Sequence, residues 1–477
     1  MNFYEEQENN REQVMLITEK GERLTYRQVY KLAAEMLHSV PGGALVFLFC
    51  KNQPESIAGY LGMLQKGIVP ALLDPGLEKD QIRELLRRYR PEYCLYPEAV
   101  REKFTDMEIL WDNGHYRLSK TGETPDRVFQ PDLALLLSTS GSTGSPKMVR
   151  LSRKNLQSNA RSIGEYLEIT REDRAVTSLP MQYTYGLSVI NSHVERGAAL
   201  LLTDRTVFEK EFWEFVKKER ATSMAGVPRT YEMLKMLRIH QMDLPDLKVL
   251  TQAGGHLTAQ LQEYYGTWCA DKKIRFYIMY GQTEATARMS YLPWQKILEK
   301  PGSIGIPIPG GRFALADEEG KLIEGAGQEG ELIYYGDNVS MGYAACRGDL
   351  EKGDERRGCL HTGDLAKRDT EGFYYITGRK KRFLKVFGMR VSLDMLEEII
   401  KKQYPDRDAA CTGMDDRAAV FIEKKPEDRE AELEEEIRNF LSARTRLHRS
   451  AFSVRFVSRI PRNSSGKVQY AQLEKQL

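Results

Sequence analysis

Strand-sized apolar runs alternate with helix-periodic stretches from residue 44 to residue 280, and this alternation limits the fold more than any other feature of the chain. The run Ala44-Leu-Val-Phe-Leu-Phe-Cys50 is followed by a helical stretch over 54–66, then by Gly67-Ile-Val-Pro-Ala-Leu-Leu-Asp74. Further strand-like runs stand at 93–96, 133–138, 198–203, 247–253 and 275–280. Upstream, Val29, Leu32, Ala33 and Leu37 recur at helical spacing behind Thr25, whose hydroxyl suits an N-cap. Strands joined through helices pair in parallel, so the pattern predicts an α/β fold of parallel or mixed sheets covered by helices.

Over 301–376 the texture changes. Glycines punctuate short strand-like runs such as Gly330-Glu-Leu-Ile-Tyr-Tyr335 and Gly372-Phe-Tyr-Tyr-Ile376, which predicts a β-rich subdomain. The basic cluster Gly378-Arg-Lys-Lys-Arg382 then leads into a tail of mixed α/β character with a charged helix over 430–444. At 477 residues the chain exceeds what one hydrophobic core usually organises. We expect a large N-terminal domain of several subdomains over 1–380, with mixed sheets, helices and the β-rich subdomain. A small mobile α/β domain over 381–477 should follow.

Lysine plus arginine number 70 against 68 aspartate plus glutamate, a net charge of +2 that supplies no field for gripping nucleic acid. No apolar run approaches the roughly 20 residues that span a bilayer, so no membrane partner is expected. The acidic start Met1-Asn-Phe-Tyr-Glu-Glu-Gln-Glu8 has the wrong chemistry for a signal or transit peptide. Six cysteines are scattered with no C-x-x-C pair. That distribution speaks for free thiols in a reducing cytoplasm rather than for a disulfide framework or a zinc knuckle. The seven histidines are equally dispersed, and no metal cage built by the protein alone is expected.

The segment Leu135-Leu-Leu-Ser-Thr-Ser-Gly-Ser-Thr-Gly-Ser-Pro-Lys147 carries the most chemistry. An apolar strand runs into glycines and hydroxyls and ends on a cation. Glycine lets backbone N–H groups approach an anion closely, and hydroxyls add donors, so the loop suits a polyphosphate. It is not a Walker loop, because G-x-x-x-x-G-K-[ST] would need Gly at Pro146 and Ser or Thr at Met148. A Ser/Gly-rich surface turn is the plainer alternative for this segment taken alone.

Thr139-Ser-Gly-Ser-Thr-Gly-Ser-Pro-Lys147 resembles the signature loop of the adenylate-forming superfamily. That superfamily comprises acyl- and aryl-CoA synthetases, peptide-synthetase adenylation domains and beetle luciferases. Further motifs follow in the family's order, so the resemblance extends over nearly the whole chain. It implies that Thr139, Ser140, Gly141, Ser142, Thr143, Gly144 and Lys147 cradle the phosphates of ATP. Gln252-Ala-Gly-Gly255 resembles the family's turn along the adenine, where Gly254 and Gly255 let backbone lie against a flat base.

Tyr280-Gly-Gln-Thr-Glu-Ala285 resembles the motif at the heart of the site. The family implies that Tyr280 stacks on adenine beside Gly281, that Thr283 meets the α-phosphate, and that Glu284, with Thr143, holds Mg²⁺. A hard cation of this kind wants oxygen ligands, usually one or two carboxylates with phosphate and water. Taken alone, Glu284 is an ordinary solvated charge. His361-Thr-Gly-Asp364 resembles the ribose motif, in which the carboxylate accepts from both ribose hydroxyls with Arg379 in support. Lys381 falls at the family's interdomain hinge. Pro461-Arg-Asn-Ser-Ser-Gly-Lys467 resembles the closing motif, whose Lys467 is implied to bridge the acid's carboxylate and the α-phosphate. Attack of a carboxylate on phosphorus brings two anions together, and a cation there offsets their repulsion.

Pro180-Met-Gln-Tyr-Thr-Tyr-Gly186 aligns with the segment that selects the acid, with Tyr183, Tyr185 and Gly186 as the expected pocket residues. Acyl-CoA synthetases often carry an aromatic–histidine pair here, whereas this chain has Gln182 and Tyr183. No aspartate in the segment can pair a substrate ammonium, which argues against an α-amino acid. The resemblance implies an acyl- or aryl-CoA synthetase that uses ATP, Mg²⁺, a small carboxylic acid and CoA. One alternative is a stand-alone enzyme loading the phosphopantetheine of a separate acyl carrier protein. Another, from a different class, is a non-catalytic nucleotide-binding relative. No motif chooses between the two thiol acceptors.

Overall fold

The computed structural model describes residues 2–6, 8–124, 128–138, 147–380, 382–387, 389–414, 416–445, 447–462 and 468–477. Its elements follow local chemistry closely. Thr25 caps the helix Tyr26–Met36 through a reciprocal box, its hydroxyl accepting from Gln28 N–H and the Gln28 side chain accepting from Thr25 N–H. Pro54 opens the helix Pro54–Lys66, and Gly67 at φ 74° ends it in the left-handed conformation that a Cβ would disfavour.

The run at 44–50 forms the strand Leu45–Phe49, flanked in parallel by Val69–Leu73 and Tyr93–Pro97. Its alternate residues enter two different cores. Val46 and Leu48 pack with Val29, Leu61 and Ile163, whereas Leu45, Phe47 and Phe49 pack with Ile82, Tyr89 and Phe104. Both faces are covered, so no polar residue interrupts the run.

Among the described residues the chain divides into two compact units. The first takes in the residues up to Phe313 together with Tyr334–Leu360, and the second comprises Ala314–Ile333 and His361–Leu477. The first unit carries two sheets. Eight strands run in the order Gly342–Ala344, Met148–Ser152, Leu133–Ser138, Val69–Leu73, Leu45–Phe49, Tyr93–Pro97, Tyr116–Lys120 and Glu108–Asp112. Nine run in the order Ile306–Pro307, Ser290–Leu292, Arg275–Tyr280, Val249–Gln252, Ser223–Gly226, Arg174–Val176, Ala199–Leu202, Val14–Thr18 and Arg23–Thr25. Helices Tyr26–Met36, Pro54–Lys66, Arg153–Tyr166 and Thr184–Glu195 share one core with residues of both sheets. The first two touch at backbone distance, since a Cβ added at Gly62 would lie 2.6 Å from that of Ala33.

The expected β-rich segment takes form as a five-stranded sheet in the order Leu322–Ile323, Arg312–Ala316, Glu329–Tyr335, Cys359–Arg368 and Tyr374–Arg379. Later in the second unit, helices Leu393–Gln403 and Glu430–Thr445 bury Leu396, Ile400, Ile437 and Leu441 with Val420 and Val454 of a three-stranded sheet. No described helix is long and apolar enough to cross a membrane. The cysteines are free thiols, with Cys50, Cys94, Cys269 and Cys411 buried.

Candidate active site

Loops leaving the carboxyl ends of parallel strands converge on ligands in α/β sheets. Val249–Gln252 and Arg275–Tyr280 are neighbouring parallel strands of the nine-stranded sheet, so Gly254, Gly255 and the motif from Tyr280 to Ala285 emerge side by side. Both turns depend on absent side chains. Gly254 stands at φ 83°, and a Cβ there would fall on the Tyr183 hydroxyl. A Cβ on Gly281 would overlap the carbonyl of Ala287. Gln252 ties its turn by donating from Nε2 to Gly255 O at 2.9 Å.

The chain folds back after Tyr280 through the 3₁₀ turn Thr283–Ala285, followed by Thr286 at φ 59° and Ala287 at φ 123°. Non-glycine residues take such angles only where their surroundings hold them. Here Asn338 supplies the restraint, donating to Ala285 O at 2.8 Å and Arg288 O at 3.1 Å and accepting from Thr286 Oγ1 on its own carbonyl at 2.6 Å. The turn sets three side chains. Thr283 Oγ1 lies 2.8 Å from Thr184 Oγ1, in the first turn of the helix Thr184–Glu195. Gln282 Nε2 donates to the Tyr280 hydroxyl at 3.3 Å. Glu284 Oε1 accepts from the Tyr343 hydroxyl at 2.6 Å.

Tyr343 was not among the residues expected from sequence. It sits on Gly342–Ala344, which pairs antiparallel with the strand Met148–Ser152 that follows exposed Lys147. Fully buried Arg150 pins this edge strand, donating to Tyr343 O at 3.1 Å and Met341 O at 3.2 Å and pairing with Glu355 at 2.6 Å. Arg356 stacks 4.7 Å above the Tyr343 ring and donates to Ser340 Oγ at 2.6 Å and Glu284 O at 3.3 Å. Burial, then the charge of Glu284, pushes the Tyr343 hydroxyl up to about 12, so it remains a neutral donor to the carboxylate. Nothing in the local pattern marks Tyr343 or Arg356. Their role arises from strand pairing across a long interval.

The residues expected around the acid also meet the turn at Gly254. Tyr183 precedes the helix Thr184–Glu195, its hydroxyl against Gly254 and its ring 6.3 Å from that of Tyr185. Burial raises the Tyr183 hydroxyl to about 12. Tyr185 is buried with its hydroxyl 2.8 Å from both Thr251 O and Thr251 Oγ1. Gly186 has a different task from its neighbours. A Cβ there would collide with the Pro180 carbonyl, so the glycine closes the turn that aims Tyr183 and Tyr185.

In the second unit, Asp364 and Arg379 are register partners of antiparallel strands, and Arg379 Nε donates to Asp364 Oδ1 at 3.1 Å. Gly363 at φ 72° shapes the bend before Asp364, and Lys380 N–H closes it on Gly363 O at 2.8 Å. The two residues expected at the ribose are thus together. Thr139, Ser140, Gly141, Ser142, Thr143, Gly144, Lys381 and Lys467 lie outside the described residues.

Comparison with known proteins adds a frame to this geometry. The family model described as AMP-binding enzyme matches residues 3–344. The chain is 27% identical over 350 residues to an oxalate–CoA ligase of Arabidopsis thaliana, covering 71% of this chain and 66% of that relative's length. It is 28% identical over 469 residues to a 2-succinylbenzoate–CoA ligase of Bacillus thuringiensis, covering 95% of this chain and 93% of the relative. Among solved structures it is similar to o-succinylbenzoate coenzyme A synthetase of Bacillus subtilis in complex with ATP and magnesium ion. That match has a TM-score of 0.78 at 22% identity and covers 97% of each chain.

Proposed function

We propose, for a chain that belongs to the AMP-binding enzyme family and so to the adenylate-forming superfamily, an acid–thiol ligase working in two half-reactions. In the first, a carboxylate oxygen of the acid attacks the α-phosphorus of ATP and the bond to the β-phosphate breaks, giving acyl-AMP and pyrophosphate. In the second, a thiolate attacks the acyl carbon and AMP leaves. CoA is the proposed acceptor, because the relatives named for oxalate and 2-succinylbenzoate are CoA ligases. A separate carrier protein would present the same thiol chemistry. A cytoplasmic setting, with ATP and CoA at hand and thiols kept reduced, suits this reading.

The observation that carries it is Glu284, oriented by a neutral hydroxyl beside two glycine turns and Thr283. Its carboxylate has no ion-pair partner among the described residues. One carboxylate is too little to hold a divalent ion alone, yet it suits an ion that brings phosphate and water oxygens with it. We therefore assign Glu284 and Thr143 to Mg²⁺, which when bound would offset phosphate charge. Tyr280, Gly281, Gly254 and Gly255 are assigned to adenine, Thr283 to the α-phosphate, and Asp364 with Arg379 to ribose. Lys147 and residues 139–144 take the remaining phosphates. Lys467 meets the acid's carboxylate and the α-phosphate. The domain 381–477 turns about Lys381 between half-reactions.

The test is ATP–pyrophosphate exchange across a panel of carboxylic acids, followed by thioester formation with CoA or a phosphopantetheinyl carrier. Acid-dependent exchange and a CoA thioester are expected. If ATP protects the protein from thermal unfolding but no acid supports exchange, the chain is a nucleotide binder and the enzyme reading falls. Transfer only to the carrier would reassign the acceptor.

A further inference from the structure

After the strand Gly342–Ala344 the chain returns to the candidate site in a tight turn that carries Arg356. Asp354 Oδ1 accepts from Arg356 N–H at 2.9 Å and from Arg357 N–H at 2.8 Å. Glu355 N–H donates to Met341 O at 2.9 Å, and Cys359 N–H closes the turn on Arg356 O at 3.0 Å. Arg357, at φ 50°, takes a left-handed conformation that these bonds hold in place. The Arg356 side chain therefore starts from a fixed backbone.

Three carboxylates belong to its neighbours, and each is engaged elsewhere. Asp354 caps the turn, Glu355 pairs with buried Arg150 at 2.6 Å, and Glu284 accepts from the Tyr343 hydroxyl at 2.6 Å. Arg356 makes no ion pair among the described residues. Its Nη1 donates to neutral acceptors, Ser340 Oγ at 2.6 Å and the Glu284 carbonyl at 3.3 Å, and its guanidinium lies 4.7 Å from the centre of the Tyr343 ring. An arginine does not discharge by losing its proton, so this partly buried charge persists. Both bonds leave from Nη1, and the planar fork of a guanidinium can take a phosphate on its other nitrogens.

The surroundings say which anion. Tyr343 stands in register with Val149, two residues beyond exposed Lys147, so Glu284, Arg356 and Lys147 gather about one edge strand. Thr283, assigned to the α-phosphate, bonds instead to Thr184 at the start of a separate helix. The β- and γ-phosphates are the ones left for the edge-strand cluster. We infer that Arg356 binds these two phosphates of ATP and offsets the charge that pyrophosphate carries away. The inference rests on the adenylation reading above, which gives Glu284 to the magnesium ion on the same phosphates.

AMP lacks both phosphates and so separates a phosphate contact from a structural one. ATP, pyrophosphate and AMP, each with magnesium, are titrated calorimetrically against the wild type, Arg356→Gln and Arg356→Lys. Arg356→Gln should bind ATP and pyrophosphate roughly 10–100-fold more weakly and AMP as tightly as the wild type, and Arg356→Lys should recover part of the loss. Unchanged affinity for ATP and pyrophosphate overturns the inference, and so does an equal loss of all three ligands. A second measurement needs no variant. An arginine-selective dicarbonyl should label Arg356 in the wild-type protein, read by peptide mass mapping, and pyrophosphate but not AMP should suppress that labelling. Absence of labelling in the free protein, or equal protection by the two ligands, overturns the inference. Pyrophosphate exchange separates the two readings. Acid-dependent exchange by Arg356→Gln with the wild-type KM for pyrophosphate removes the inference and keeps adenylation. Arg356-dependent binding of ATP with no acid supporting exchange keeps the phosphate contact and removes adenylation.

Discussion

The two carboxylates assigned to the nucleotide, Glu284 in the first unit and Asp364 in the second, are held by opposite chemistry. Glu284 accepts from the neutral Tyr343 phenol, while nearby Arg356 directs its bonds to Ser340 Oγ and the Glu284 carbonyl. Asp364 is 3% exposed and accepts a hydrogen bond from the Arg379 guanidinium. A carboxylate beside a neutral donor keeps its charge for an incoming cation. One beside a guanidinium has that charge offset. The backbones differ too. Glu284 sits in a turn with two left-handed non-glycine residues and a glycine that has no room for a methyl, whereas Asp364 lies in an antiparallel pair whose one positive φ beside it falls on a glycine, Gly363. Strain of the first kind persists only when many neighbours over-determine it, so the first region should tolerate change least.

The largest effect is expected from Glu284→Gln. The amide keeps the shape and can still accept from Tyr343, but the charge is gone. Exchange should fall roughly 10²–10³-fold, as for loss of a preorganised electrostatic contact, with little change in melting temperature. A drop confined to ATP affinity, with the magnesium requirement untouched, would dissolve the contrast between the two sites.

Asp364→Ala comes next. Losing a charge-assisted acceptor should raise the KM for ATP roughly 10–100-fold while the KM for the acid stays close to that of the wild-type enzyme. The contrast sharpens if the magnesium titration is unmoved, and it breaks if that titration shifts as far as it does in Glu284→Gln.

Tyr343→Phe should act most gently. It removes one hydroxyl and keeps the ring under Arg356, so exchange should fall about 5–10-fold and more magnesium should be needed for half-maximal rate. A pH readout accompanies it. The hydroxyl pKa is raised from 10.0 to about 12, so the folded protein holds that proton more tightly than the unfolded chain. Stability linked to Tyr343 is complete below pH 10 and is lost as pH rises toward about 12. The melting temperature of Tyr343→Phe should therefore decline less steeply than that of the wild type across this window. Equal slopes would show that Tyr343 is not the donor that orients Glu284.

Much of the framework was legible because it is written over short distances. The apolar run at 44–50 announced a strand covered on both faces, and Thr25 announced a helix start that a capping box completes. Asp364 and Arg379 were paired from motif resemblance, and an antiparallel register brings them together. Gly186 was expected in the acid pocket, and its place under the Pro180 carbonyl adds the task of closing the turn beside the neighbouring tyrosines. That distinction depends on a packing contact, which residue type alone does not carry.

What the sequence by itself determined is therefore periodicity, caps and turns, and the glycines whose turns leave no room for a side chain. Each is governed by dihedral freedom and burial within a few neighbouring residues. Tertiary structure alone decided which side chains complete the site. Tyr343 reaches Glu284 across 59 residues, Thr184 reaches Thr283 across 99, and Arg288 is enclosed beside Tyr185 with neutral acceptors around it. These are outcomes of how strands pair and helices dock, which bring together residues that no local stretch of sequence relates.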